Sequence, residues 1–584
     1  MKTFKKMSKS LSLVAFIALL AGCSGSDGAN GVDGAATNGL VSLISMNDEP
    51  MGTNCIYGGT SIASGIDVNS DGTLTPDEVE NTEYICSESS HATAFDGVVY
   101  TADKNIDGMN ELYANVGGVE IKLAAPTVSS ESIGYVQVSP DKTHVAYRQN
   151  GRLYSVDLLK RAAPVIMHPE LATGGGVQTY QWAPDSSRIL YKADQDHTDV
   201  AELYTVLADG SGNIKVNSSL VGGGDVRYGY KWSPDSSKIL YRADQDTDEI
   251  YELYSVSPDG SNNVKVNGNL VAGGKVFDYS WAPDSSRILY KADQETDNTN
   301  EIYTVFADGS GNVKINGTLT AGGDVSGGSW APDGSKILYS ADQDTNTITE
   351  LYTVSVDGSR MVKVNGTLCI GGSVSRFKWA PNSSMILYYA DQDTDDIYEL
   401  YAVSPNGNDN TKVNGNLVVN GQVAYNFKWS PDSSKILYYA NQDTDDIYEL
   451  YTVSPNGSNN VKVNGRLVAG GNVDDEGFEW SPDSSKILYE ADQDTDGVNE
   501  IFTVNSDGSS NAKVNDNLVI GGNAYQSQWA SDSSKIFYKA ELNTLGVFEL
   551  YSVKVDGSNN TKISGVMPEF GNISDFIIVQ LLTN

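Results

Sequence analysis

Histidine and cysteine are scarce in this chain, with four of each in 584 residues. His91, His144, His168 and His197 share no ligand spacing, so the sequence offers no imidazole-built zinc centre. It also contains no G-x-S-x-G nucleophile elbow. Positive charge is short too: 39 Lys and Arg stand against 76 Asp and Glu, a formal charge of −37. That balance argues against nucleic acid and anionic lipid surfaces as partners, and suits divalent cations, basic proteins or simple solubility. Helical periodicity is missing, whereas 33 Tyr and 58 Gly favour strands and turns.

Only one long apolar run exists, "LSLVAFIALLAG" at 11–22, and it is too short to span a membrane permanently. Four lysines precede it and Cys23 follows. Leu20-Ala21-Gly22-Cys23 resembles the lipobox of bacterial lipoproteins, which implies cleavage of residues 1–22 and acylation of Cys23. Ser24 after the cysteine then implies the outer membrane. Residues 23–40 are Gly-rich and read as a flexible tether.

Residues 41–92 form a small unit in which Cys55 and Cys86 are expected to pair, since export permits disulfides. Cys369 is expected to be a buried free thiol. Inside the small unit lies "DVNSDGTLTPDE". Asp67, Asn69, Asp71, Thr73 and Glu78 fall at positions 1, 3, 5, 7 and 12, with Gly72 at 6, and this resembles the EF-hand calcium loop. "TPDEVEN" is expected to start an exiting helix while nothing helical precedes the loop, so the resemblance is to a one-sided, dockerin-like site.

From residue 93 onward the chain repeats. All eight Trp lie in one register, at 182, 232, 281, 330, 379, 429, 480 and 529, spaced 49 to 51 apart. Each unit divides into four strands, for example "VFDYSW", "RILYKA", "NEIYTVF" and "GNVKING", joined by turn-forming Pro-Asp-Ser-Ser, an acidic stretch and Asp-Gly-Ser. "WSPDSSKILY…ELYTVSPDGS" resembles the TolB/tricorn type of propeller repeat, which implies an all-β propeller of four-stranded blades over 93–584. Val138 holds the Trp register of a further unit. "GVVYTADKNIDGMNELYANVGGVEIKL" supplies strands two to four of another, and "GNISDFIIVQLL" its first strand, with Ile578 at the Trp position. This count predicts ten blades closed by the terminal strand; the alternative is an eight-bladed ring of Trp units.

Loops 2–3 and 4–1 of every blade should share one face, putting acidic tips beside paired glycines. In the tips, carboxylates recur at positions 1, 3, 5 and 9: Asp244, Asp246, Asp248, Glu252; Asp391, Asp393, Asp395, Glu399; Asp492, Asp494, Asp496, Glu500. The divergent first unit keeps Asp103, Asn105, Asp107 and Glu111. The spacing resembles the calcium hairpins of integrin-type propellers, though most tips lack the Gly. An acidic solubilising surface copied by duplication is the alternative, in which a lysine relieves the repulsion.

Together these features predict a lipid-anchored envelope propeller, stabilised by calcium, that binds a protein or polysaccharide and is not an enzyme. The alternative is a polysaccharide lyase or hydrolase acting on envelope polymers, since similar propellers include such enzymes.

Overall fold

The computed structural model describes residues 41–49, 59–105, 108–126, 131–158, 163–568 and 570–580, apart from 87–95. The predicted signal and tether, Cys23, Cys55 and Asp107 lie outside the described residues, as does the side chain of Cys86. The expected Cys55–Cys86 pair is therefore not placed. Two compact units are present, one holding residues 58–87 with the strand before them and one running from 88 to the end.

The small unit is an antiparallel meander of β1 (Val41–Glu49), β2 (Gly59–Asp67) and β3 (Val79–Cys86). β1 meets β2 in unbroken register from Val41↔Asp67 to Glu49↔Gly59. β2 and β3 slip at Gly65, where an added Cβ would stand 1.8 Å from the Glu78 carbonyl oxygen. Only Gly fits there.

The large unit contains ten four-stranded antiparallel sheets among the described residues. Blade 1 takes its first strand from Ile573–Gln580 and the rest from Asp96–Ala102, Glu111–Val116 and Val119–Ala124. The first strands of blades 2 to 10 begin at Ile133, Val177, Lys231, Val276, Val325, Val374, Val423, Val473 and Ala524. In blade 5 the strands are Val276–Trp281, Arg287–Ala292, Glu301–Phe306 and Val313–Lys314. The fourth strand is thus much shorter than its predicted heptapeptide.

The second and third strands are buried on both faces, because each sheet is sandwiched between two others; this is why "ILY" and "ELYTV" run without polar alternation. Ten hydrophobic clusters hold the ring, each spanning the interface of two successive blades. One joins Leu488 and Ile501 of blade 9 to Ala524 and Trp529 of blade 10. Another joins Ala530, Phe537 and Leu550 of blade 10 to Val98, Tyr113 and Phe576 of blade 1, and the next joins blade 1 to blade 2. The ring is closed and ten-bladed, and no sheet edge is left open at the seam. The eight-bladed alternative is excluded.

Polar contacts repeat the same blade-to-blade logic. In the Pro-Asp-Ser-Ser turn, Ser236 adopts φ +62°, and its Oγ accepts the Asp185 amide of the preceding blade at 3.0 Å. The same link joins Asp432 to Ser484 and Asp483 to Ser533. A left-handed position that glycine would favour is held by serine because the hydroxyl bridges two blades. Four Trp indoles, at 182, 281, 429 and 480, add to this: Trp182 Nε1 donates to the Gln137 carbonyl of the previous blade at 3.3 Å.

Candidate functional site

Three places carry the chemistry: the loop of the small unit, the acidic tips of the blades, and the inner wall of the ring.

The Asp67–Glu78 loop joins β2 to β3. It leaves by a single 3-10 turn, Pro76–Glu78, and passes straight into β3. The expected exiting helix is not formed, because Val79 onward pairs with β2 and extended pairing wins over helix. Asp67, 3 % exposed, accepts the Asp71 and Gly72 amides at 3.2 and 2.9 Å and so turns the chain around itself. Asn69 Oδ1 accepts the Asp71 amide, and Asp71 Oδ1 accepts the Thr73 amide, both at 2.8 Å. Glu78 closes the loop from the far side, one oxygen on the Val68 and Asn69 amides and the other on the Thr75 amide and hydroxyl. The Thr75 contacts hold the Glu78 carboxyl below its ordinary pKa. The residue types are a donor set that suits a hard cation, but the oxygens are turned onto the loop's own amides, and Asp67, Asp71 and Glu78 do not converge within 4.8 Å of one another.

In the blade tips, the two loop types do share one face: the first Gly of each pair meets the tip of the same blade. Gly371 has φ +92°, and a Cβ there would lie 2.5 Å from Asp395; one on Gly372 would lie 2.5 Å from the Asp391 carbonyl. The backbone contact requires the second glycine, whereas the first position needs only a left-handed residue, and Asn420 fills it in blade 8 with φ +64°. The carboxylates, however, divide into separate jobs. Position 1 is buried and structural. Asp391 accepts the Ser373 amide at 2.6 Å with one oxygen and the Asp396 amide at 3.3 Å with the other. Asp244, Asp492 and Asp103 do likewise.

Positions 3 and 9 converge on a lysine from the fourth strand. Lys412 lies 3.4 Å from Asp393 and 3.2 Å from Glu399; Lys513 lies 3.2 Å from Asp494 and 2.8 Å from Glu500. Lys265 pairs with Glu252 at 2.9 Å, and Lys122 with Glu111. The hydrogen bond that Lys363, the counterpart in blade 6, donates to Glu350, and then the one to Asp344, raise its pKa. Asp246 stands at position 3 of blade 4, and Asn105 of blade 1 donates to Glu111 at 2.5 Å. Position 5 is left exposed beside the paired glycines, as at Asp248, Asp395 and Asp496.

The expected single shell at 1, 3, 5 and 9 is thus not formed, because position 9 opens the third strand and faces the lysine across the sheet. A different group converges instead. Asp391, Asp395 and Asp396 bring one oxygen each to within 4.8 Å of one another, close enough to hold a metal ion. Cys369 is half-buried, not buried, and its thiol donates to the Asp391 carbonyl at 3.3 Å.

Sequence reasoning missed the inner wall. First strands of successive blades come within side-chain reach of each other: Gln181 Nε2 donates to the Tyr230 carbonyl at 2.8 Å, and Lys231 Nζ to that of Tyr279 at 2.6 Å. Here the sheets converge on the axis. Most first strands carry a bulge near their start, for example between Val276 and Asp278, and a bulge leaves carbonyls unpaired. The residue before Ala in "ILYxA" of the preceding blade supplies the donor. Arg242 reaches the Val276 and Phe277 carbonyls at 2.8 and 2.7 Å, Lys291 that of Ser326 at 2.9 Å, and Tyr439 that of Val473 at 2.9 Å. Between blades 9 and 10 the polarity reverses. Gln526 has φ +54°, and the amide of Ser527 is what the bulge offers; Glu490 accepts it at 2.7 Å and the Ser527 hydroxyl at 2.8 Å.

Four residues before the Trp, the wall is also lined by exposed aromatic rings: Tyr228, Phe277, Tyr425 and Tyr525, joined by Tyr135 in blade 2. A cation lies over most of them. Arg148 is 4.6 Å from the Tyr135 ring, Lys192 4.1 Å from Tyr228, and Arg376 4.7 Å from Tyr425. On the other side of the ring, blade 9 has a longer first strand, Val473–Trp480, whose Asp474, Glu476 and Gly477 border a cavity of about 590 Å³ with Glu490, Tyr525 and Lys539. Burial, opposed by the Ser527 hydrogen bonds, raises the Glu490 pKa to about 6. Burial lowers that of Lys539. The signal for this wall was in the sequence: among near-identical repeats, these are the positions that differ.

A family profile described as "Domain of unknown function (DUF7151)" matches residues 42–86. No curated protein matches the chain. Among solved structures, TolB from Acinetobacter baumannii is 14 % identical, covering 63 % of this chain and 78 % of its own, with a TM-score of 0.25. The oligogalacturonate lyase of Vibrio parahaemolyticus is 13 % identical over 62 % of this chain and 98 % of its own, with a TM-score of 0.30. Porphyromonas gingivalis dipeptidyl peptidase 4 is 12 % identical over 73 % and 58 %, with a TM-score of 0.44. Superpositions this partial carry no argument about ligand or activity. Among the described residues, no helix is long and apolar enough to cross a membrane.

Proposed function

We propose that this chain is an exported binding propeller, tethered in a bacterial envelope through acylated Cys23, that holds a protein or polysaccharide partner along its inner wall. One observation carries the reading. The turns, strand pairs and blade interfaces are repeated almost unchanged, while the wall-facing positions differ from blade to blade: Gln178, Tyr228, Phe277, Ser326, Ser375, Tyr425, Glu476 and Tyr525 occupy the same register. Positions that only maintain the ring stay uniform, so unlike side chains on a concave wall are where recognition would reside. The lipobox-like run at Cys23 supports the envelope, with the outer membrane as its place.

Calcium is assigned first to the Asp67–Glu78 loop, where Asp67, Asn69, Asp71, Thr73 and Glu78 would hold it. Bound there, it would neutralise three carboxylates in one turn. Asp391, Asp395 and Asp396 are the second place, since the lysines already balance positions 3 and 9.

The wall is read as binding, not catalysis. The second reading, a lyase or hydrolase of envelope polymers, is favoured by Glu490 alone, a carboxyl near pKa 6 beside a cavity. Affinity capture from envelope extracts with the full chain, compared with Tyr228→Ala and Tyr525→Ala, tests the binding reading. Capture that both variants leave unchanged would refute the wall as the site. Turnover of an envelope polysaccharide that is lost in Glu490→Gln would instead establish the enzyme.

A further inference from the structure

Building on that binding reading, we propose that the arc of inner wall from blade 2 to blade 5 is a binding track for an acidic polysaccharide. Exposed rings recur along it: Tyr135 is 75 % exposed, Tyr228 60 % and Phe277 36 %. Each ring has a cation against it, and each remains open on the wall side. Lys275 and Lys291 lie 5.7 and 6.0 Å from Phe277, and Lys192 lies 4.1 Å from Tyr228.

Lys192 decides the sign of the ligand. It is only 3 % exposed, and the Tyr228 ring lies 4.1 Å from its ammonium. The carboxylate that acts on it through space is Asp225, which Arg227 also holds at 3.5 Å. One carboxylate shared by two cations leaves the pocket short of negative charge, which an incoming anion supplies. In a chain of net charge −37, cations gathered on one arc are the exception that calls for a reason. The overall field repels a polyanion at long range, but screening within about 8 Å at physiological salt leaves the local cations in control.

Ring faces joined to cations fit a chain of flat sugar rings bearing acid groups. The sugar's apolar face lies on Tyr228 or Phe277, and its carboxylate or sulfate meets Lys275 or Lys291, while Lys192 attracts it from beneath the Tyr228 ring. The Tyr228 hydroxyl donates to Gln178 Oε1 at 3.0 Å, which holds the ring in place as a platform. Single-stranded nucleic acid also stacks on aromatics beside cations. Its phosphates would meet the same cations, so it serves as the competing outcome.

The test is titration of the full chain with polygalacturonate oligomers, a sulfated glycan, a neutral β-glucan, a basic peptide and single-stranded DNA, each at low and high salt. Binding of at least one acidic glycan is expected, weakening with salt and falling about tenfold in Tyr228→Ala and in Lys275→Ala. Both residues are exposed, so melting temperatures should be unchanged. The uronate and sulfate arms tell which acid group is taken. Preference for DNA or neutral glycan, or acidic-glycan binding that both variants leave intact, would overturn the track. If the neutral glycan or the peptide binds and Tyr525→Ala abolishes it, the binding propeller stands and only the track falls. If no partner binds, both fall.

Discussion

Val98 sits directly opposite Ile578 in blade 1, so residues 480 positions apart share one strand pair. Tyr100 faces Phe576 in the same ladder. The ring is locked by this single sheet, which the two ends of the propeller build together.

Removing residues 572–584 should therefore cost more than an ordinary terminal truncation. Ile573, Phe576 and Val579 are 2–3 % exposed, and their loss bares the edge of the Asp96–Ala102 strand. At about 1.5–3 kcal/mol for each buried side chain, destabilisation of roughly 5 kcal/mol or more is expected, together with reduced cooperativity. Denaturant unfolding of the full and shortened chains measures it; equal midpoints and slopes would contradict closure.

Ser236 combines a left-handed backbone with a hydrogen bond to blade 3. Ser236→Gly loses the bond, about 1 kcal/mol, but relieves the left-handed strain of a Cβ, so the two nearly cancel. Ser236→Ala loses the bond and keeps the strain, so it should cost about 1 kcal/mol. Should alanine prove no worse than glycine in thermal unfolding, the role given to φ is mistaken.

Lys412 neutralises Asp393 and the buried Glu399. Lys412→Met leaves both carboxylates unpaired and should destabilise by about 2 kcal/mol, less than a fully buried pair because the lysine is partly exposed. Millimolar calcium should then recover more stability in the variant than in the parent chain. Matched magnesium and NaCl serve as controls, and an equal calcium response in both proteins would show that lysine and cation do not compete there.

Glu490 supplies a pH test. Its folded pKa, about 6, lies above the ordinary 4.5. The folded state thus holds this proton more tightly than the unfolded chain. The stability it gives is full below pH 4.5 and is lost as pH rises through 6. Glu490→Gln keeps an acceptor for Ser527 but removes the titration. Relative to the parent, it should gain about 2 kcal/mol between pH 4 and pH 7. A difference that stays flat across that range would refute the burial of a titrating carboxyl.

Calcium binding at the small unit should depend on Glu78. Asp67 shapes the turn and Glu78 closes it, so Glu78→Gln should abolish a calcium-induced shift in amide signals of residues 67–78 while leaving the blades unaffected. Loss of the same shift in Asp393→Asn instead would move the site to the blade tips.

How the repeats were legible is a matter of which residues report on their own neighbours. The Trp register, the Pro-Asp-Ser-Ser turns and the match of "DFIIVQ" to a first strand are local signals, and from them the all-β class, the four-stranded unit, the ten blades and the closing strand follow. The acidic spacing was equally visible, but its meaning was not. Asp391 and Glu399 look alike in sequence. One is turned onto backbone amides of the loop before its blade, and the other faces Lys412 from the next strand. Which partner each acquires depends on strand pairing, which brings together residues 13 to 18 apart. The exiting helix failed for the same reason, since pairing of Val79–Cys86 with β2 outweighs the local preference of Pro-Asp-Glu. That the wall positions differ among the repeats was legible, but that they share one surface was decided by tertiary structure. Only closing the ring places Tyr228 over Lys192 and aligns five exposed rings on one surface, because a concave wall is a property of blades meeting at an axis and of no single repeat.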